Sequence, residues 1–172
     1  MAKKVTLPVF SDEGSAERAK SARKKPSIDT ARARLGGRIL ESDAPVPGFA
    51  PGVVITFAAG ASRRAGVIVF ASQAEVHVLL DGIRLRRFPP GELAAHDGRD
   101  LALELERIAG DARLFGQLAE GESVRYADEA GVLVDGKVVE KCRWGALVLR
   151  DDGAVVAVGF RKLWPSPAGE SA

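Results

Sequence analysis

Basic side chains are the residues of this chain whose types and spacing could do chemistry. Arg63-Arg64, Arg84, Arg86 and Arg87 fall in one half of the sequence, and Lys141, Arg143, Arg161 and Lys162 in the other. Lys24, Lys25, Arg32 and Arg34 belong to a basic leader. Cations gathered on one surface neutralise phosphates, and an aromatic ring beside them offers a face on which bases stack. Trp144 lies between Arg143 and Gly145 at an expected hairpin tip. An exposed indole there would be a stacking platform or an anchor for a protein partner. The plainer account is that charges on outward strand positions solvate a small fold, while Trp144 and Trp164 fill cores.

Other chemistry finds less support. His77 sits between Val76 and Val78 in an alternating stretch, so it is expected on the opposite face, towards solvent. His96 precedes Asp97 and Asp100 in a turn, but one histidine with flexible carboxylates is a poor metal set. Cys142 lies beside Lys141 and Arg143, which would lower a thiol pKa. No histidine accompanies it locally, and a structural cysteine is expected. The Gly-x-Ser-x-Gly elbow and the Gly-x-x-x-x-Gly-Lys-Ser/Thr phosphate loop do not occur. The carboxylates are scattered. The expectation is a non-enzymatic protein with no metal and no cofactor.

These residues ride on a scaffold that looks written twice. Residues 51–93 and 120–164 share Gly52 with Gly121 and Phe57 with Tyr126 at an offset of 69. Gly66 matches Gly136 at 70, and Asp81-Gly82 matches Asp152-Gly153 at 71. A drift of two residues fits small loop insertions. A unit of about 45 residues is marginal alone, so the copies are expected to lean on each other or on the segment between them.

The strand grammar recurs in both copies. In the first, Val53–Phe57 is a strand, Ala58–Ala65 a loop and Gly66–Ala71 a strand. Glu75–Leu80 alternates. Asp81-Gly82 signals a two-residue hairpin. Ile83–Phe88 then places Ile83 and Leu85 inward and Arg84 and Arg86 outward. In the second copy, Ser123–Tyr126 is short. Asp135-Gly136 and Asp152-Gly153 each mark a tight turn, flanked by Val132–Val134, Lys137–Cys142, Gly145–Arg150 and Ala154–Phe160. Between the copies, Leu101, Leu105, Ile108, Ala112 and Phe115 form one helical stripe. That helix would run from a cap at Asp100 to about Ala119 and pack across the copies. In the leader, Ser27 or Asp29 can cap a short helix, Thr30–Leu35, closed by Gly36-Gly37.

Four or five short strands joined by hairpins in about 45 residues resemble the small SH3-like barrels of Tudor and KOW modules. Gly66 and Gly136, opening the second strand of each copy, are KOW-like. The resemblance implies a mainly β fold: two tandem SH3-like barrels joined by an α-helix, behind a disordered basic tail. The expected divisions are a tail over 1–46, barrels over 47–98 and 120–165, a bridging helix over 99–119, and a second tail over 166–172.

Composition bounds the function. Hydrophobic residues make up 46% of the 172, enough to build a core over most of the length. One cysteine excludes an internal disulfide and suits a reducing compartment. No apolar run approaches membrane-spanning length and no signal-like segment opens the chain, so a cytoplasmic protein with no membrane partner is expected. Residues 1–38 hold ten Lys/Arg and four Asp/Glu, for +6, while the remainder holds 15 against 19, for −4. That asymmetry favours a binding module for nucleic acid or a ribonucleoprotein. The alternative is a protein-interaction or structural subunit of a larger assembly. The copies differ in decoration: arginines flank Asp81-Gly82, whereas Ala154–Val158 is uncharged.

Overall fold

The structure, a computed structural model, describes residues 27–81 and 83–167. It is mainly β. Strands β1 (Val54–Ala59), β2 (Ser62–Ala71), β3 (Val76–Leu79), β4 (Leu85–Phe88) and β5 (Ala94–Ala95) form an antiparallel sheet in the order β4-β3-β2-β1-β5. Strands β6 (Ser123–Ala127), β7 (Leu133–Lys141), β8 (Gly145–Leu149), β9 (Val155–Gly159) and β10 (Leu163–Pro165) form a second, in the order β10-β6-β7-β8-β9. Adding five to each strand number of the first sheet gives the second. A single 3₁₀ turn precedes the last strand in each, at Pro90–Glu92 and Phe160–Lys162.

Local details recur as well. The β2–β3 ladder slips between Ile68 and Phe70, and the β7–β8 ladder slips between Val138 and Glu140. Gly52 and Gly121 both have φ of 90° and donate to Ile68 and Val138 carbonyls. Gly66 and Gly136 face crowded neighbours. A Cβ on Gly66 would meet Val78 Cγ1 and lie 3.1 Å from the Leu79 carbonyl oxygen. A Cβ on Gly136 would meet Val148 Cγ1 and lie 2.9 Å from the Leu149 oxygen.

Four expected turns fall differently. Asp135-Gly136 is not a turn but the interior of β7, because Gly136 serves close strand approach and not a positive φ. The β6–β7 turn is 128–132, where the Asp128 carboxylate accepts from the Ala130 and Val132 amides. Ala58–Ala65 is not a loop: Ala59 pairs with Ser62 around Gly60-Ala61, which places Arg63 and Arg64 on a strand. At Asp81-Gly82, Leu80 N–H donates to the Arg84 carbonyl at 2.9 Å, so three residues are enclosed, not two. Asp81 Oδ1 also accepts from the Arg84 amide, which supports the longer turn. Likewise Arg150 donates to Ala154 around 151–153, with Gly153 at φ 80°. Ile83, expected inward, lies in its turn and is 89% exposed.

Helix α1 (Ile28–Arg34) is capped by Ser27, whose hydroxyl accepts from the Thr30 amide. Seven residues are too few for a helix to persist on propensity alone. Ala31 and Leu35 supply the rest by packing on Cys142 and Leu147. Helix α2 (Leu103–Gln117) starts at Ala102, which has no side-chain cap. Asp100 is not the cap, being two residues too early and at φ 53°. The buried stripe is Ile108, Ala109, Ala112 and Phe115.

That stripe joins the sheets. It shares one core with Val67, Val69 and Leu79 of the first sheet and with Val124, Tyr126, Val138, Val148, Phe160 and Leu163 around the second. The opposite face of the first sheet has its own core of Ile55, Phe57, Ile68, Val76, Val78 and Phe88. Strand β3 is therefore buried on both faces at all four positions. Each aliphatic side chain so buried contributes about 1.5–3 kcal/mol. No helix among the described residues is long and apolar enough to cross a membrane.

Candidate functional site

Burial of β3 on both sides overturns the expectation for His77. The side facing away from Val76 and Val78 is covered by Trp144 of the β7–β8 turn, and His77 is fully buried. Its Nδ1 accepts from Trp144 Nε1–H at 2.8 Å, and its Nε2 lies 2.8 Å from Glu75 Oε1. With Nδ1 accepting, the proton belongs on Nε2, donating to the carboxylate. Burial pushes the His77 pKa down, and the Glu75 partner only partly opposes this. Glu75 is in turn held below its ordinary value, chiefly by its bond to His77. The sequence carries no local sign of this role, because the covering residue is 67 positions away.

Trp144 is not an exposed stacking platform. Its ring packs on Gly36, where a Cβ would lie 2.7 Å from indole carbons, and its amide donates to the Leu35 carbonyl. The neighbouring Arg143 donates to the Gly36 carbonyl and to Asp43 at 2.8 Å, and its guanidinium lies over Phe70. Residues 35–43 of the leader are thereby tied to the β7–β8 turn.

Three of the four cations expected on a second binding face, Lys141, Arg143 and Arg161, make contacts within the fold. Lys141 Nζ donates to the Gly116 and Leu118 carbonyls at the end of α2, at 3.1 and 2.8 Å. Burial lowers its pKa. A cation at a helix C-terminus also meets the negative end of the dipole. Arg161 pairs with Glu104 and Asp111 of α2. Arg32 of α1 grips both oxygens of Glu140, and its pKa is raised, first by that bond. Arg34 and Lys162 are exposed. Lys24 and Lys25 lie outside the described residues.

The first sheet differs. Arg63, Arg64, Arg84, Arg86 and Arg87 are all exposed. Arg64 stands opposite Phe57 in the β1–β2 register, so both point to one face. Arg86 stands opposite Val78, which pairs with Ile68, and this is the same face. Its guanidinium lies 5.9 Å from the Phe57 ring centre and 5.0 Å from that of Phe88. Arg86 was expected to point away from its sheet's core; it covers the rim of that core, while Leu85 packs towards α2. Arg63 bonds Thr56. Arg84 is held by Asp81, and Arg87 lies over Trp144 and 3.9 Å from Glu75. The five divide into Arg64 and Arg86 on one face, Arg63 and Arg87 on the other, and Arg84 in the turn.

Cys142 is buried, and burial together with the Glu140 charge pushes its thiol up to about 11. The flanking cations do not activate it. Among the described residues no group of three His, Cys, Asp or Glu side chains could hold a metal. His96 Nδ1 accepts from the Gly98 amide within its own turn. No protein-family model matches the chain, and comparison with curated proteins yields no significant match.

Proposed function

We propose that this protein is a non-enzymatic module that binds nucleic acid, alone or in a ribonucleoprotein, through the arginine rim of its first sheet. The observation that carries the reading is the pair Arg64 and Arg86, exposed on one face and flanking Phe57. Guanidinium groups on a rigid strand reach phosphates with little ordering cost, and an aromatic floor keeps Arg86 extended along it. Arg63 and Arg84 extend the same end of the sheet. Residues 1–26 add seven Lys/Arg against three Asp/Glu, a sequence-independent attraction for phosphate. The two sheets are read as duplicated SH3-like units of the Tudor/KOW kind. Their shared strand order, the 3₁₀ turn before each last strand and the paired glycines support that reading. In the second unit Lys141, Arg143 and Arg161 are engaged in structural contacts, which favours the first as the binding face.

The test is retention on immobilised single-stranded and duplex nucleic acid at low and moderate salt. Salt-sensitive retention is expected, and its absence at low salt would end the proposal.

A second reading is a protein-interaction subunit, favoured by one observation. Edge strand β9 carries no charge, with Val155 and Ala157 exposed, whereas edge strand β4 carries Arg86 and Arg87. Uncharged edges accept an added strand readily. A protein partner that copurifies and survives nuclease treatment would favour this reading.

A further inference from the structure

We propose that the Glu75–His77–Trp144 chain is a proton-operated latch between the two sheets: a proton on His77 Nδ1 replaces the acceptor for Trp144 by a second donor and frees the indole from its place. Three observations on the geometry support this. Both ring nitrogens of a fully buried histidine are already committed, one to each sheet's elements. Protonation would set Nδ1–H against Nε1–H, two donors with nothing between them. Trp144 is one of the points at which the β7–β8 turn holds the leader: its amide donates to the Leu35 carbonyl and its ring stacks on Gly36, beside the Arg143 bonds to Gly36 and Gly37. Freeing the indole therefore removes the stack on Gly36, while the backbone bonds to Leu35 and Gly37 remain.

The latch is not part of the shared scaffold. At the offset of 70 that relates Val78 to Val148 and Ile68 to Val138, Leu147 stands in the place of His77 and Ala74 in that of Trp144. Leu147 meets Leu35 by apolar contact. Only the seam between the sheets has the titratable version.

Burial sets the direction, and the charges around His77 modify it. Glu75, in the β2–β3 loop, favours a proton. Arg87 of β4 and Arg143 of the β7–β8 turn oppose it, and Asp43 takes up part of the Arg143 charge. Burial outweighs Glu75, so the folded pKa is lowered from 6.5. A depressed histidine is neutral in both states above 6.5. Below that, the unfolded or opened state binds the proton first, so the closed seam weakens as pH falls, by up to about tenfold per pH unit.

The test is ¹⁵N-tryptophan labelling of the full chain, with the two indole signals assigned by Trp164→Phe. From pH 7 to pH 5 the Trp144 indole N–H should shift, and its protection against exchange, relative to a free indole at the same pH, should fall about tenfold or more, while that of Trp164 stays constant. His77→Asn supplies an acceptor near the Nδ1 position that cannot titrate, and it should abolish the response. Three outcomes overturn the latch: an invariant Trp144 signal, an unchanged response in His77→Asn, or both indoles moving together as in global unfolding. If His77→Asn does not fold, ¹⁵N-histidine spectra of the natural chain decide. Nδ1 of His77 must change from unprotonated to protonated with the Trp144 midpoint; a different midpoint sinks the proposal.

Discussion

Trp144 Nε1–H donates to His77 Nδ1 at 2.8 Å, joining residues 67 positions apart that belong to different sheets. Truncating the donor leaves a buried ring nitrogen without a partner. Trp144→Phe should lower stability by about 1–3 kcal/mol for the lost bond, beyond any packing loss. Urea unfolding measures it. A change below a few tenths of a kcal/mol would mean the bond does not hold the seam.

Gly66→Ala and Gly136→Ala should each destabilise by about 1–3 kcal/mol, because the added methyl meets a valine and a strand carbonyl at equivalent places. Gly110→Ala in α2 is the control. It has open space around it and should stabilise by up to about 1 kcal/mol. Thermal melts of the three variants test whether the paired glycines share one steric reason.

Cys142, with its thiol pushed up to about 11 and buried, should resist iodoacetamide at pH 8 in the native protein and react on denaturation. Mass spectrometry before and after adding denaturant reads this directly.

Arg143→Ala should cost about 1–2 kcal/mol, since Asp43 and the Gly36 carbonyl lose a half-buried partner. It should leave nucleic-acid affinity within about twofold. Urea unfolding and an oligonucleotide titration on the same variant separate the two effects.

Much of this architecture was legible in the chain. The 3.6-residue stripe Ile108, Ala112 and Phe115 marked α2, and Ser27 with Gly36-Gly37 marked α1. The glycines at offsets near 70 marked positions that the two sheets do share. What the sequence hides has one physical origin: the local period gives a residue's face, but its surroundings come from far along the chain. His77 looked outward because alternation reveals only two faces and not what covers the second. Lys141, Arg143 and Arg161 read as unengaged cations in the sequence because their partners lie on α2 and in the leader. Gly136 looked like a turn because glycine for positive φ and glycine for close approach read alike in a sequence. Arg64 and Arg86 were legible as cations but not as a pair, since the register that places both beside Phe57 crosses four strands.

The central claim is that binding rests on the first sheet's arginine rim. The direct measurement is a fluorescence-anisotropy titration of a labelled single-stranded oligonucleotide across a range of salt, with the natural chain and with Arg64→Ala/Arg86→Ala. The doubly substituted protein should bind more weakly at every salt concentration. Its plot of log affinity against log salt should be shallower by about 1.4 for two lost phosphate contacts. Equal affinity and equal slope in the two proteins would contradict the assignment.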